Sequence, residues 1–274
     1  MREILRLEGL SYAYEEDRTA LADLSVTLYG GEKVAVLGNN GAGKSTFFLC
    51  CNGVLSPASG EIVLEGKKLE RKGPDRSLLR RSVGLVFQDP DSQIIAGTVE
   101  AEISFGPMNL RLQDEDVRRR VDQAIANMQL EDFRSRAPHY LSGGEKKRVS
   151  IADVLAMEPQ LLLLDEPAAS LDPANSRLLE QNLELLSRRG LGLVIATHDV
   201  DFAWRWAERI LVFHRGRLQA DADPESVFAD EELLTRCGLE QPILYQVGIL
   251  QGMKPLPRTV EDMRRREMKA AESV

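Results

Sequence analysis

The chain has 274 residues, a net charge of −8 and 43% hydrophobic against 28% charged residues. This is the profile of an ordinary globular protein with a large core, and the acidic balance excludes the basic footprint of a general nucleic-acid binder. No run approaches the ~20 apolar residues of a bilayer span, and Met1-Arg2-Glu3-Ile4 opens no signal-peptide core, so any membrane role is expected through a partner.

In chain order, Ile4, Leu5, Leu7 and Leu10, then Leu24, Val26 and Leu28, alternate as strands do, with Gly30-Gly31 as a turn. Residues 17–21 are polar and predict a loop. Residues 33–37 (KVAVL) are a short, β-branched, buried strand. Residues 45–52 lack Pro and Gly and predict a helix that carries Cys50 and Cys51. Those two and Cys237 show no metal-ligand spacing, and buried, reduced thiols are expected. Residues 61–67 and 82–88 read as strands, the second stopped by Asp89-Pro90-Asp91. Residues 114–130 carry a helical stripe (Val117, Val121, Ala124, Ile125, Met128), and residues 142–157 form a second helix closed by Pro159. The continuous apolar runs 161–164 and 191–197 are central parallel strands by pattern. Strands alternating with helices predict an α/β protein with a mainly parallel core, interrupted by a helix-rich insertion at about 90–158. From Gln241 on, Pro242, Pro255, Pro257 and a charged run at 264–269 predict an appendage.

The chemistry starts at Gly38-Asn39-Asn40-Gly41-Ala42-Gly43-Lys44-Ser45, with Thr46 following. It lies between a buried strand and a helix start, whose free N–H groups and positive dipole end suit an anion. The glycines allow close backbone approach. Lys44 supplies a point charge for the β- and γ-phosphates, and the Ser45 hydroxyl is placed to ligate Mg²⁺. Asp165 and Glu166 end the apolar run 161–164, at the carboxyl edge where open α/β sheets bind ligands. Asp165 is the natural Mg²⁺ partner through water, and Glu166 the candidate base or water-orienting group at the γ-phosphate. Read alone, both are solvated acids at a strand end. Leu141-Ser142-Gly143-Gly144-Glu145 opens the helix at 142–157 as a second anion-binding helix start, or, read alone, as a helix cap.

With this segment the chain resembles the ATP-binding-cassette (ABC) ATPases, whose Leu-Ser-Gly-Gly-Gln signature it matches except for Glu145, over residues 3–238 or so. The resemblance implies a P-loop NTPase domain at 3–240 with a RecA-like parallel core, an N-terminal antiparallel β subdomain and the helical insertion. It implies ATP and Mg²⁺ as cofactors, and a head-to-tail homodimer, or a pair with a closely related second ATPase. In that dimer Ser142, Gly143, Gly144 and Glu145 act in trans on the partner's γ-phosphate. Glu145 cannot be the donor that Gln is, and Lys146, Lys147 and Arg148 are expected to offset its charge. Tyr14 matches the aromatic that stacks on adenine, with Tyr12 the second candidate. Gln88 matches the glutamine that contacts Mg²⁺ and senses the membrane partner. Ser170-Leu171-Asp172 matches the loop that signals across the dimer, and His198 the histidine at the γ-phosphate. His139 and His214 fall on no matching position and read as surface imidazoles.

Residues 87–93 (FQDPDSQ) are similar to a pattern of energy-coupling-factor ATPases, the micronutrient importers. Residues 141–152, 196–202 and 213–218 are similar to the cobalt (CbiO) type. This implies a peripheral protein at the cytoplasmic face of the cell membrane, working with a CbiQ-like coupling subunit and a CbiM-like substrate-binding subunit. The cargo stays open between Co²⁺, Ni²⁺ and a vitamin. A soluble ABC ATPase acting on nucleic acid, a kinase with a lone phosphate loop and a purely regulatory module are the rival readings.

Overall fold

The computed structural model describes residues 1–15, 19–70, 75–169 and 171–271, with side chains through Arg265. Its first strands are β1 (Glu3–Ala13) and β2 (Thr19–Tyr29), followed by β3 (Lys33–Leu37) and helix α1 (Lys44–Cys51). Strands β4 (Ser59–Leu64) and β5 (Lys67–Lys68) complete a four-stranded sheet in the order β2-β1-β4-β5, antiparallel throughout. The loop expected at 17–21 is shorter than that. Thr19, Ala20 and Leu21 already belong to β2, because Leu21 is fully buried and pairs with Tyr12, while residues 17 and 18 lie outside those described.

Helix α2 (Asp75–Ser82) leads into β6 (Val83–Val86), which takes only the apolar centre of the run expected at 82–88. Helices α3 (Val99–Asn109), α4 (Asp114–Met128) and α5 (Gly143–Leu155) then pack on one another as the helical insertion. The chain returns through β7 (Leu161–Asp165), α6 (Pro173–Arg188), β8 (Gly192–Ala196), α7 (Val200–Trp206), β9 (Arg209–His214) and β10 (Arg217–Ala222). The second sheet runs β10-β9-β3-β8-β7-β6, parallel except for the antiparallel edge strand β10.

Period-2 geometry explains the unbroken apolar strands. Successive side chains point to opposite faces, and both faces here are covered. Leu162, Leu164, Leu193 and Ile195 join the core beneath α3–α7, whereas Leu161, Leu163, Val194 and Ala196 join the core shared with α1 and the antiparallel sheet. Phe47, Phe48, Cys50 and Cys51 of α1 fill that second core. All three cysteines are free and buried, and burial pushes the Cys50 thiol up to about 12.

Helices α8 (Pro224–Ala229), α9 (Glu231–Cys237), α10 (Ile243–Leu250) and α11 (Val260–Ala271) close the chain. The stretch expected to be an appendage packs onto α7. Tyr245 is buried edge-to-face on Trp204 at 5.2 Å, and the Trp204 indole N–H donates to the Pro257 carbonyl at 2.8 Å. The Arg258 guanidinium donates to the Ala207 carbonyl at 2.8 Å.

Candidate nucleotide site

The turn between β3 and α1 is shaped by residues that only glycine can supply. At Gly43, the N-cap of α1, φ is 107°, and a Cβ would lie 2.7 Å from the Ala20 carbonyl oxygen. A Cβ on Gly38 would lie 2.4 Å from the carbonyl oxygen of Phe213. The backbone is thus wedged between β2 and β9, which fixes the direction of its free N–H groups. Lys44 is buried, and its ammonium donates to the carbonyls of Gly38 (2.5 Å) and Asn39 (3.4 Å). Burial lowers its pKa, while Glu166 and Asp165 raise it. The cation is therefore held in place by its own loop and faces two carboxylates.

A cavity of about 240 Å³ opens over this turn. Asn40, Gly41, Ala42, Gly43, Lys44, Ser45 and Thr46 form one wall, and Tyr14, Gln88, Asp165 and Glu166 form others. Tyr14 is half exposed, its hydroxyl 3.2 Å from the Thr46 hydroxyl, and its ring meets Tyr12 edge-on at 5.0 Å. The ordering of the pair places Tyr14, not Tyr12, on the cavity wall.

Asp165 ends β7. Glu166 follows with φ 44°, a left-handed conformation costly for a residue with a Cβ, and its N–H donates to the Ala196 carbonyl at 2.9 Å. Its carboxylate meets His198 Nδ1 at 3.0 Å, so the imidazole that follows β8 orients it. Ser45, Gln88 and Asp165 bring hydroxyl, amide and carboxylate oxygens to one cavity, a hard-oxygen donor set that fits Mg²⁺. No group of three His, Cys, Asp or Glu side chains able to hold a metal occurs among the described residues.

Ser142, Gly143, Gly144 and Glu145 do not line this cavity. Ser142 caps α5 in a reciprocal capping box: the Glu145 carboxylate accepts from the Ser142 N–H at 2.6 Å, and the Ser142 hydroxyl from the Glu145 N–H at 3.4 Å. Burial raises the Glu145 pKa, but these bonds, Arg148 and Arg136 lower it on balance. Of the three cations expected to offset Glu145, only Arg148 does. Lys146 pairs with Asp91 at 2.7 Å, and Lys147 turns inward to the Phe87 and Gln88 carbonyls.

Asp172 caps α6 through the N–H groups of Ala174 and Asn175 and also accepts from the Asn175 amide at 2.6 Å. Ser170 of the same motif lies outside the described residues. Asn175, which no motif singled out, joins the two elements: a Cβ on Gly144 would lie 2.6 Å from the Asn175 Cγ. The signature glycine thus leaves room for the α6 start. Lys147 and Gln93 were also missed as site residues. The inward course of Lys147 has no sequence signal, since the middle residue of a basic run after a signature reads as solvated.

A model of the ABC transporter family matches residues 21–169, more than half of the chain. The chain belongs to the ABC ATPases. Within that family it is 44% identical over 269 residues to the energy-coupling factor transporter ATP-binding protein EcfA2 of Methanospirillum hungatei, covering 96% of this chain and 68% of that protein. It is 43% identical over 266 residues to the cobalt import ATP-binding protein CbiO of Rhodobacter capsulatus, covering 94% and 95%. Among solved structures, cbiO1 from Clostridium perfringens, part of the transporter complex cbiONQ, superposes with a TM-score of 0.78 at 37% identity. The match covers 92% of this chain and all of that one. The chain is an ATP-binding subunit of the energy-coupling-factor type, an ABC ATPase that energises transport. No helix among the described residues is long and apolar enough to cross a membrane.

Proposed function

We propose that the ABC ATPase domain spans residues 3–240, with 241–274 as its C-terminal extension. Two copies, or one copy and a close relative, bind ATP head to tail at the cytoplasmic face of the cell membrane and drive uptake of Co²⁺. The observation that carries the two-copy reading is the separation within one chain. Lys44, Gln88, Asp165 and Glu166 share a cavity that the signature does not enter, while the Gly143 backbone stands at an open, exposed helix start. A second chain supplies the missing anion cradle.

In each composite site the triphosphate of the substrate lies on the N–H groups of residues 39–46 and the Lys44 ammonium, with adenine on Tyr14. Ser45, Gln88 and Asp165 would hold Mg²⁺, which would neutralise β- and γ-phosphate charge. Glu166, oriented by His198, aligns a water for in-line attack and takes its proton. His198 also contacts the γ-phosphate, and the partner's Ser142, Gly143 and Gly144 stabilise the charge that develops there. Loss of the γ-phosphate removes those contacts and reopens the dimer, and Asp172 carries the change across the interface.

The segment after Gln88 would pass this motion to a CbiQ-like membrane subunit, with a CbiM-like subunit holding the ion. Phe87, Ile95, Phe105 and Met108 are exposed apolar side chains of that region, as a docking surface requires. Likeness to the cobalt-import protein over nearly its whole length favours Co²⁺; Ni²⁺ or a vitamin uses the same motor. The test is to purify the native complex, identify its membrane subunits and measure ATP-dependent uptake of ⁵⁷Co²⁺, ⁶³Ni²⁺ and vitamins. Cobalt uptake abolished with the ATPase is expected, and uptake of a vitamin alone overturns the cobalt reading.

A further inference from the structure

We propose that Lys147 is a positioning residue for Gln88, making the place of that side chain at one nucleotide follow the signature helix that serves the other. The proposal rests on the reading of Gln88 as a residue of the catalytic centre.

Lys147 sits on α5, two residues beyond the capping box, and only 2% of it is exposed. Its ammonium lies against the end of β6 and donates to the carbonyls of Phe87 (2.9 Å) and Gln88 (2.5 Å). A buried ammonium is costly unless its hydrogen bonds are made, so these two carbonyls and the cation hold one another in place. A second tie joins the same two elements. The Gln93 amide oxygen accepts from the Phe87 N–H at 3.3 Å, and its nitrogen donates to the Ser150 carbonyl of α5 at 2.9 Å. The backbone of Phe87 is thus fastened to α5 at both its N–H and its carbonyl.

The consequence follows from where the two ends point. Gln88 lines the cavity of its own chain, whereas Gly143 at the start of α5 is exposed outside it. A shift of α5 as its start meets a phosphate on the partner chain drags the Gln88 backbone with it. The Lys147 charge also stands in the field of Asp89 and Asp165. A neutral side chain of similar length would fill the space without gripping the carbonyls.

The test is a double-mutant cycle in the full-length chain, reading kcat and KM for ATP of K147M, Q88A and the double variant, with K147R as the conservative control. K147M is expected to lower kcat between about tenfold and a hundredfold, the cost of misplacing a reacting group by about an ångström, and to leave KM for ATP unchanged. The double variant is expected to be no slower than Q88A, because a residue acting through Gln88 has nothing left to position. K147R restores most of kcat. Losses that multiply in the double variant overturn the proposal while leaving Gln88 in its role. Q88A turning over at the wild-type rate removes that role and the proposal with it. If K147M does not fold, K147Q, which keeps a donor but not the reach, takes its place in the same cycle.

Discussion

Glu166, the proposed base, is held at three points. Its backbone is left-handed, its N–H is tied to Ala196 and its carboxylate to His198. Three constraints from two strands leave the side chain one direction, toward the cavity. A group already oriented needs no reorganisation when water is aligned, which is where general-base catalysis gains its rate. Glu166→Gln keeps shape and hydrogen bonding but removes the basic oxygen. Turnover should fall by at least about a hundredfold, the usual contribution of such a base, while an ATP-held dimer persists. A phosphate-release assay and gel filtration with ATP check both, and a near-wild-type rate would show that Glu166 is not the base. Glu145 teaches the opposite lesson at the same scale. In sequence it is an acid beside a phosphate, whereas its carboxylate is spent on the Ser142 N–H of its own helix.

Helix α5 is the element on which the most functions converge. Its start holds the signature, its first turns hold Lys147, and further along Ser150 and Asp153 meet Gln93. Burial, reinforced by Glu102 and opposed by the Gln93 bond, raises the Asp153 carboxyl from 3.8 to about 7. Glu102 is itself buried, accepting from the N–H groups of Ile95 and Ala96. The folded chain therefore holds the Asp153 proton more tightly than the unfolded chain. Below the ordinary carboxylate range both states are protonated and this group takes nothing from stability. As pH rises from there through about 7 the unfolded state alone loses the proton, and stability declines. Asp153→Asn removes the half-buried charge, so the variant should melt a few degrees above wild type at pH 8 and level with it near pH 4. Thermal melts at the two pH values check this, and an equal shift at both would assign the effect to packing instead.

For the whole molecule, the decisive feature is that the phosphate loop and the signature of one chain do not share a cavity. If they meet between chains, complementary defects must rescue each other. K44A disables one phosphate loop and S142R one signature, and each homodimer should be inactive. Mixing the two chains creates heterodimers in which one composite site has an intact loop and an intact signature. ATPase activity should return on mixing, to at most about half of wild type per heterodimer if the sites fire independently. Mixed chains that stay as inactive as either parent would mean that the signature does not serve a partner. The C-terminal stretch also gains meaning only at this scale. Its prolines read as an extension leaving the domain, yet Tyr245, Pro257 and Arg258 are bound to Trp204 and Ala207 beside the parallel sheet. Isolated aromatic and Pro residues in a short segment carry no period, so a one-dimensional reading has nothing to register.

Local physics made the phosphate loop, the acids after β7 and the helix cap at Ser142 readable in one dimension. A glycine run between a buried strand and a helix start has one geometry wherever it occurs, and the apolar runs of β7 and β8 can be satisfied only with both faces covered. The element edges were less legible, since Leu21 becomes strand only by pairing with Tyr12. Tertiary structure alone decided which polar groups are joined over long separations. It put His198 on Glu166, Asn175 against Gly144 and Lys147 under the Gln88 backbone. These contacts are set by the sheet order and by helix packing, where residues tens of positions apart become neighbours, and no spacing along the chain encodes them.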